Sequence, residues 1–326
     1  MLLDRYHRVV NYLRISVTDR CNLRCRYCRP AEGEELLPHG EILTFEEILQ
    51  VVRVFASHGI RKVRLTGGEP LVRKGIVELV KEIVATSGIE DVSLTTNGVL
   101  LAEYARDLRE AGLKRINVSL DTLRPERFAY ITRRDHFKEV WRGIEEAMRV
   151  GLHPVKINVV ALRGINDDEI EDFARLSIDH PLHVRFIEFM PVGENRWEEG
   201  KVLTCEEIRR RLEALGELIP VPAGELDGPA RRFRIHGGKG EVGFISPLSA
   251  RFCATCNRLR LTADGKIRVC LFSDDEVDLK AVLRAGGGEE GILKALRRAL
   301  EMKPMGWCRD GFRIRKCQRG MASIGG

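Results

Sequence analysis

The sequence predicts an α/β fold. Six to eight βα units would form a full or partial barrel, and a C-terminal α+β region would cover it. Three observations carry this reading. Strand-like and helix-like segments alternate through the first 190 residues. The strand candidates are short and rich in β-branched residues, and the helical stretches between them end on glycine. After Met190 that rhythm stops and the chain becomes rich in Pro and Gly. Repeated βα units predict a parallel sheet, and in a barrel the chemistry belongs at the C-terminal ends of the strands.

Taken in order, the first strand is YLRISV (12–17). The helix TFEEILQVVRVFASHG follows, with Thr44 and Glu47 spaced as a capping box and Gly59 beyond its end. KVRLTG (62–67), DVSLTT (91–96), RINVSL (115–120), VKINVVAL (155–162) and HVRFIEF (183–189) are the further strands. KGIVELVKEIVATSG, AEYARDLREAG and HFKEVWRGIEEAMRVG are helices among them. PVGENRWEEG is a loop, Thr204 to Leu215 one more capped helix, and RRFRI–HGGKG–EVGFIS a hairpin. We divide the chain into a barrel, 1–220, and a C-terminal region, 221–326, expected to cover the barrel rather than extend it.

The chain has 326 residues, 44% hydrophobic and 31% charged, with net charge +6 and pI near 8.9. That mild basicity suits a phosphate-bearing ligand. The charges are spread along the chain, which is no nucleic-acid footprint. No apolar run would span a membrane and no signal-like h-region opens the chain, so a cytoplasmic location is expected. Nine cysteines in a reducing compartment point to metal ligands rather than disulfides.

Cys21, Cys25 and Cys28 follow the first strand directly. A closed zinc site takes four ligands, and His39 is badly spaced to be the fourth. Three thiolates on a [4Fe–4S] cubane leave one iron open to a small molecule. The CxxxCxxC pattern, with Tyr27 before its third cysteine, resembles the radical S-adenosylmethionine (SAM) superfamily. LTGGEPLVR (65–73), one βα unit later, is similar to that superfamily's SAM-binding turn. RFCATCNRLRLTADGKIRVCLF (251–272) holds a second triad, Cys253, Cys256 and Cys270. A tight hairpin at Asp264-Gly265 would set position 270 opposite about 259 and return Cys270 to the other two. A four-cysteine zinc site drawing on Cys308 and Cys317 is the alternative there.

The two triads and the terminal Gly-Gly together resemble the GTP 3′,8-cyclase family of molybdenum cofactor biosynthesis. The resemblance implies a radical-SAM-type partial (βα)6 barrel with two [4Fe–4S] clusters and SAM. It implies that an adenosyl radical removes H3′ of GTP, and that C3′ then bonds to C8 to give 3′,8-cyclo-7,8-dihydro-GTP. Carried over by position, Tyr27, Gly67, Gly68, Glu69, Asn97, Ser119 and Met190 would contact SAM. Arg14, Lys62, Arg64, Thr95, Lys156, Arg185, Arg258, Leu259 and Arg260 would contact GTP. Arg258, Arg260, Gly325 and Gly326 would assist the radical step. An electron donor and the next pathway enzyme, cyclic pyranopterin monophosphate synthase, are the implied partners of a monomer or homodimer. No nucleic acid or membrane is expected as a partner. The rival readings are a radical SAM peptide-modifying maturase and a zinc-stabilised nucleic-acid-binding protein. Cys205, at a helix start, is read as a passive thiol.

Overall fold

The computed structural model describes residues 1–30, 35–193, 198–306 and 317–325. Strands β1 (Tyr12–Ser16), β2 (Lys62–Thr66), β3 (Asp91–Thr96), β4 (Arg115–Ser119), β5 (Val155–Ala161) and β6 (Leu182–Glu188) lie side by side in chain order, all parallel. This is the predicted succession of six βα units, with strand bounds that differ from the sequence reading by a residue or so. Helices pack on the outer face. In Phe45–Ser57, Ile48, Val51, Val52 and Phe55 are buried against the sheet. Thr44 and Glu47 form the expected reciprocal cap: Glu47 N donates to Thr44 Oγ1 at 3.2 Å, and Thr44 N to Glu47 Oε2 at 2.7 Å. Gly59 ends the segment at φ +118°, where a Cβ would be strained.

Alternation along the strands divides the two faces. Leu13, Ile15, Val63, Leu65, Val155, Ile157, Val184 and Phe186 enter the hydrophobic core under the helices. Their neighbours Tyr12, Arg14, Arg64, Thr66, Asn158 and Arg185 face a cavity on the concave side. The inside of the curl is therefore polar and strongly basic.

The C-terminal region differs from expectation. Strands β7 (Leu218–Val221), β8 (Arg231–Ile235) and β9 (Glu241–Ile245) form an antiparallel ribbon, with β9 parallel to β6. Strands β10 (Arg258–Leu261), β11 (Lys266–Arg268) and β12 (Glu276–Asp278) form another, with β10 parallel to β1. The region thus extends the sheet at both edges as well as lining the cavity. The physical reason is that an open parallel sheet leaves unpaired N–H and C=O groups at each edge. The hairpin at Asp264-Gly265 also has a longer turn than expected. Arg260 pairs with Arg268 and Leu261 with Ile267, so the register runs Cys270 opposite Arg258 rather than 259. Gly265, at φ +76°, closes the turn. Helix Gly288–Met302, where the sequence analysis placed no element, buries Ile292, Leu296 and Ala299 and packs near helix Phe45–Ser57. Among the described residues no helix is long and apolar enough to cross a membrane.

Phe186 and Phe244 stack at 6.3 Å where β6 meets β9, and both are almost fully buried. Phe186→Ala should cost about 3–5 kcal/mol, read from urea unfolding, because it opens a cavity at this joint. A loss below about 1 kcal/mol would show that the joint does not depend on their packing.

Candidate active site

A cavity of about 330 Å³ fills the concave side. At the C-terminal end of the strands, the loop after β1 brings Cys21, Cys25 and Cys28 to its wall. Leu23 N lies 3.4 Å and Asn97 Nδ2 3.7 Å from Cys21 Sγ, both as donors. Burial pushes the Cys25 thiol well above its ordinary value, and negative charge on Cys28, Asp121 and Cys21 adds to this. Three thiolates here need a bound positive group, which fits an iron–sulfur cluster. Among the described residues, no three His, Cys, Asp or Glu side chains are grouped for a single metal ion.

The GGEP turn locks this loop in place. A Cβ on Gly68 would lie 2.2 Å from the Arg20 carbonyl oxygen, and one on Gly67 2.6 Å from that of Thr18. Gly68 N donates to Thr18 O at 2.6 Å and Glu69 N to Arg20 O at 2.7 Å. The Glu69 carboxylate accepts from Leu71 N at 3.0 Å, Thr96 Oγ1 at 2.7 Å and Asn97 N at 2.6 Å. Burial raises it to about 7 against those three bonds. Tyr27 donates to Asp121 Oδ2 at 2.5 Å, and its ring meets Phe189 edge-on. Ser119, Asn97 and Met190 line the same end of the cavity.

Deeper in the cavity the basic residues converge. Arg14, Arg64, Arg185, Arg258 and Arg260 line it with Thr95. Lys62 and Lys156 are buried at the starts of their strands and do not line it. Lys62 donates to Leu226 O and pairs with Asp91 at 3.1 Å. Burial, then Arg185, Arg115 and Arg64, push Lys156 down to about 6. Burial pushes Arg185 down to about 9 and Arg260 to about 10, with neighbouring guanidiniums contributing, which leaves both charged at neutral pH. Tyr12 registers the same field. Burial raises its phenol, but Arg64, Arg14, Lys62 and Arg258 overcome it and hold it near 8. Thr95 Oγ1 and Asn158 Oδ1 are buried with no hydrogen-bond partner among the described residues. An excess of cations with unsatisfied polar atoms beside it fits a polyanionic ligand.

The second triad lies at the opposite end, beside the starts of β1 and β10, rather than at the C-terminal face where sequence reasoning put the chemistry. Cys253, Cys256 and Cys270 all line the cavity. Burial raises the Cys256 thiol, but Arg258 and Lys303 hold it at about 6. The Leu259 side chain is fully buried in the hydrophobic core, on the face opposite Arg258 and Arg260, which leaves its backbone to meet a ligand. Gly325 O accepts from Arg260 Nη1 at 2.6 Å, and a Cβ there would lie 2.8 Å from Thr66 Cγ2. The tail therefore reaches the ends of β1 and β2. Gly326 and Cys308 fall outside the described residues. Cys317 is fully buried and accepts from Arg268 at 3.0 Å. Burial pushes the Cys205 thiol up to about 12, as a passive thiol requires.

Sequence reasoning missed Tyr12, Asp121 and Asn158, which also line the cavity. Tyr12 and Asn158 each stand two positions along a strand from a residue already singled out, so alternation could have found them, whereas Asp121 lies in the loop after β4.

Comparison with known proteins follows this geometry. Residues 15–177 match the family described as "Radical SAM superfamily", and 182–308 the one described as "Molybdenum Cofactor Synthesis C". The chain is 52% identical over 324 residues to GTP 3′,8-cyclase of Moorella thermoacetica, covering 99% of each. It is 51% identical to the enzyme of that name from Thermodesulfovibrio yellowstonii, again covering 99% of each. Streptococcus suis SuiB bound to S-adenosylmethionine is similar in structure, with TM-score 0.61 and 15% identity over 89% of this chain and 68% of that one. At that identity the likeness is one of fold.

Gly68→Ala should push the Arg20 carbonyl away and displace the loop that bears Cys21. In protein whose second triad is changed to serine, reconstituted iron at the first triad should fall to a minor fraction of the parent's, by colorimetric assay. Full iron would show that the 19–21 loop absorbs the added methyl group.

Proposed function

The chain belongs to the radical SAM superfamily and, within it, to the GTP 3′,8-cyclase family, and from that premise we propose that it converts GTP to 3′,8-cyclo-7,8-dihydro-GTP, the first step of molybdenum cofactor biosynthesis. The observation that carries the reading is one basic cavity with a cysteine triad at each end. When bound, a [4Fe–4S] cluster and SAM supply the radical that takes hydrogen from C3′ of the ribose.

The chain's own residues divide the remaining work. Cys21, Cys25 and Cys28 hold the first cluster. Tyr27, the Gly67-Gly68-Glu69 turn, Asn97, Ser119 and Met190 orient SAM. Arg14, Arg64 and Arg185 bind the triphosphate, whose charge answers their mutual repulsion, while Lys62 and Lys156, buried at the strand starts outside the lining, add positive charge behind them, and Thr95 contacts the nucleotide. Cys253, Cys256 and Cys270 would hold a second [4Fe–4S] cluster, whose open iron would bind the guanine. Arg258 and Arg260, with the Gly325-Gly326 tail, bound the reacting ribose and base. The backbone at Leu259 lies between those arginines. In this division residues 1–220 supply the SAM contacts and the triphosphate contacts, and 221–326 supply the second triad, Arg258, Arg260 and the tail. An electron donor outside the chain completes the turnover.

The direct test incubates reconstituted protein anaerobically with dithionite, SAM and GTP, followed by mass-resolved chromatography. 5′-Deoxyadenosine should appear together with a GTP isomer of unchanged mass and new retention. 5′-Deoxyadenosine with GTP untouched would remove GTP as substrate. Colourless, zinc-loaded protein would remove the iron–sulfur reading.

Lys156 gives a second test. Free, it is largely neutral above about pH 6, and a bound polyanion favours its charged form. GTP binding at pH 7.5 should therefore take up a proton at Lys156, and affinity should fall as pH rises above about 6. Calorimetry in buffers of different ionisation enthalpy reads the uptake. Lys156→Met should remove that share of it, leaving the nucleotide's own, and weaken binding about 10-fold or more. Unchanged uptake in Lys156→Met would detach Lys156 from the phosphates.

A further inference from the structure

Helix Gly288–Met302 delivers Lys303 into the interior, where it is 2% exposed. Its Nζ donates to Arg258 O at 2.8 Å, Val269 O at 3.1 Å and Cys256 Sγ at 3.5 Å. Three acceptors use three N–H bonds, which only the ammonium form has. The two carbonyls belong to opposite arms of the second triad. Arg258 stands two residues after Cys256, and Val269 immediately precedes Cys270. Arg8 holds the adjoining backbone, donating to Cys253 O at 2.7 Å and Pro304 O at 2.7 Å.

A buried ammonium needs a counter-charge. Among the described residues no carboxylate pairs with Lys303. The side-chain acceptor it reaches is the Cys256 sulfur, at 3.5 Å. Charge and donated hydrogen bonds beside a ligating sulfur favour the more negative, reduced state of an iron–sulfur group.

We propose that Lys303 is a positioning residue of the second triad, an ammonium that braces its two arms and raises the reduction potential of the cluster bound there. This rests on the reading that the triad holds a [4Fe–4S] cluster. The test uses the full chain with Cys21, Cys25 and Cys28 changed to serine, so that all cluster iron reports on the second triad. Anaerobic potentiometric titration followed by electron paramagnetic resonance reads one-electron reduction. Lys303→Met should lower the ratio of reduced to oxidised cluster at fixed potential at least tenfold, a midpoint shift of about 59 mV. Lys303→Arg should stay near the parent. A Met variant with full iron and the parent's potential would overturn the proposal. If the Met variant holds no cluster, Lys303→Arg decides. A parent-like midpoint there supports the role of the charge, and a lowered one or a lost cluster overturns it. Absence of iron in the triple-serine parent would instead overturn the second-cluster reading and this proposal with it.

Discussion

Six parallel strands curled by their own twist leave β1 and β6 each with a row of unpaired backbone groups. β9 satisfies one row and β10 the other. The second pairing sets the architecture of the site. Because β10 runs parallel to β1, with Tyr12 beside Arg258 and Arg14 beside Arg260, whatever precedes β10 must lie at the start of β1. Cys253 and Cys256 precede β10, whereas Cys21 follows β1. The length of β1, about 13 Å at a strand's rise per residue, therefore stands between the two triads. An antiparallel pairing would have put both at one end and left no room between them for a substrate.

The interior inverts the usual distribution of a small α/β barrel, in which branched aliphatic side chains fill the centre. Here the aliphatic half of each strand points outward to the helices, and the inward half is polar, with guanidinium groups on β1, β2 and β6. Such a core is stable only because the outer layer is complete and because local groups absorb part of the repulsion. Asp91 pairs with Lys62 and Arg115, and the Tyr12 ring lies 4.7 Å from Lys62 Nζ and 5.7 Å from Arg64 Cζ. These contacts offset the field without cancelling it, as the lowered Lys156 and Tyr12 show. The lumen is an anion site before any anion arrives.

The βα rhythm, the Thr44 cap and the glycine stops were legible because they are local signals of period and turn chemistry. Both triads and the GGEP turn were legible because their spacing is dense and unusual. The edge pairings of β9 and β10 were not, since EVGFI and RLRL carry nothing that names a partner strand some sixty or two hundred and fifty residues away. Lys303 was missed for a similar reason. A single lysine after a helix reads as solvated surface, and only the packing of Gly288–Met302 shows it buried. For Leu259, strand alternation turns the side chain into the hydrophobic core and leaves its backbone for the site.

The hairpin β10–β11 gathers more than the second triad. Its turn carries Asp264, which accepts from Arg319 at 2.9 and 3.0 Å, while Glu276 on β12 accepts from the same guanidinium at 2.9 Å. Arg268 on β11, fully buried, donates to Cys317 at the start of the tail. Gly193 and Gly320 touch so closely that a Cβ on Gly193 would lie 2.7 Å from the Gly320 Cα. Beyond this clamp the short helix Met321–Ile324 carries the chain to Gly325, where Arg260 of β10 holds the carbonyl. Cys270, the cavity arginines and the tail are thus fixed to one hairpin. A shift of that hairpin against β1 would move all three together, so the pairing that satisfies the sheet edge also sets the registry of these groups in the cavity.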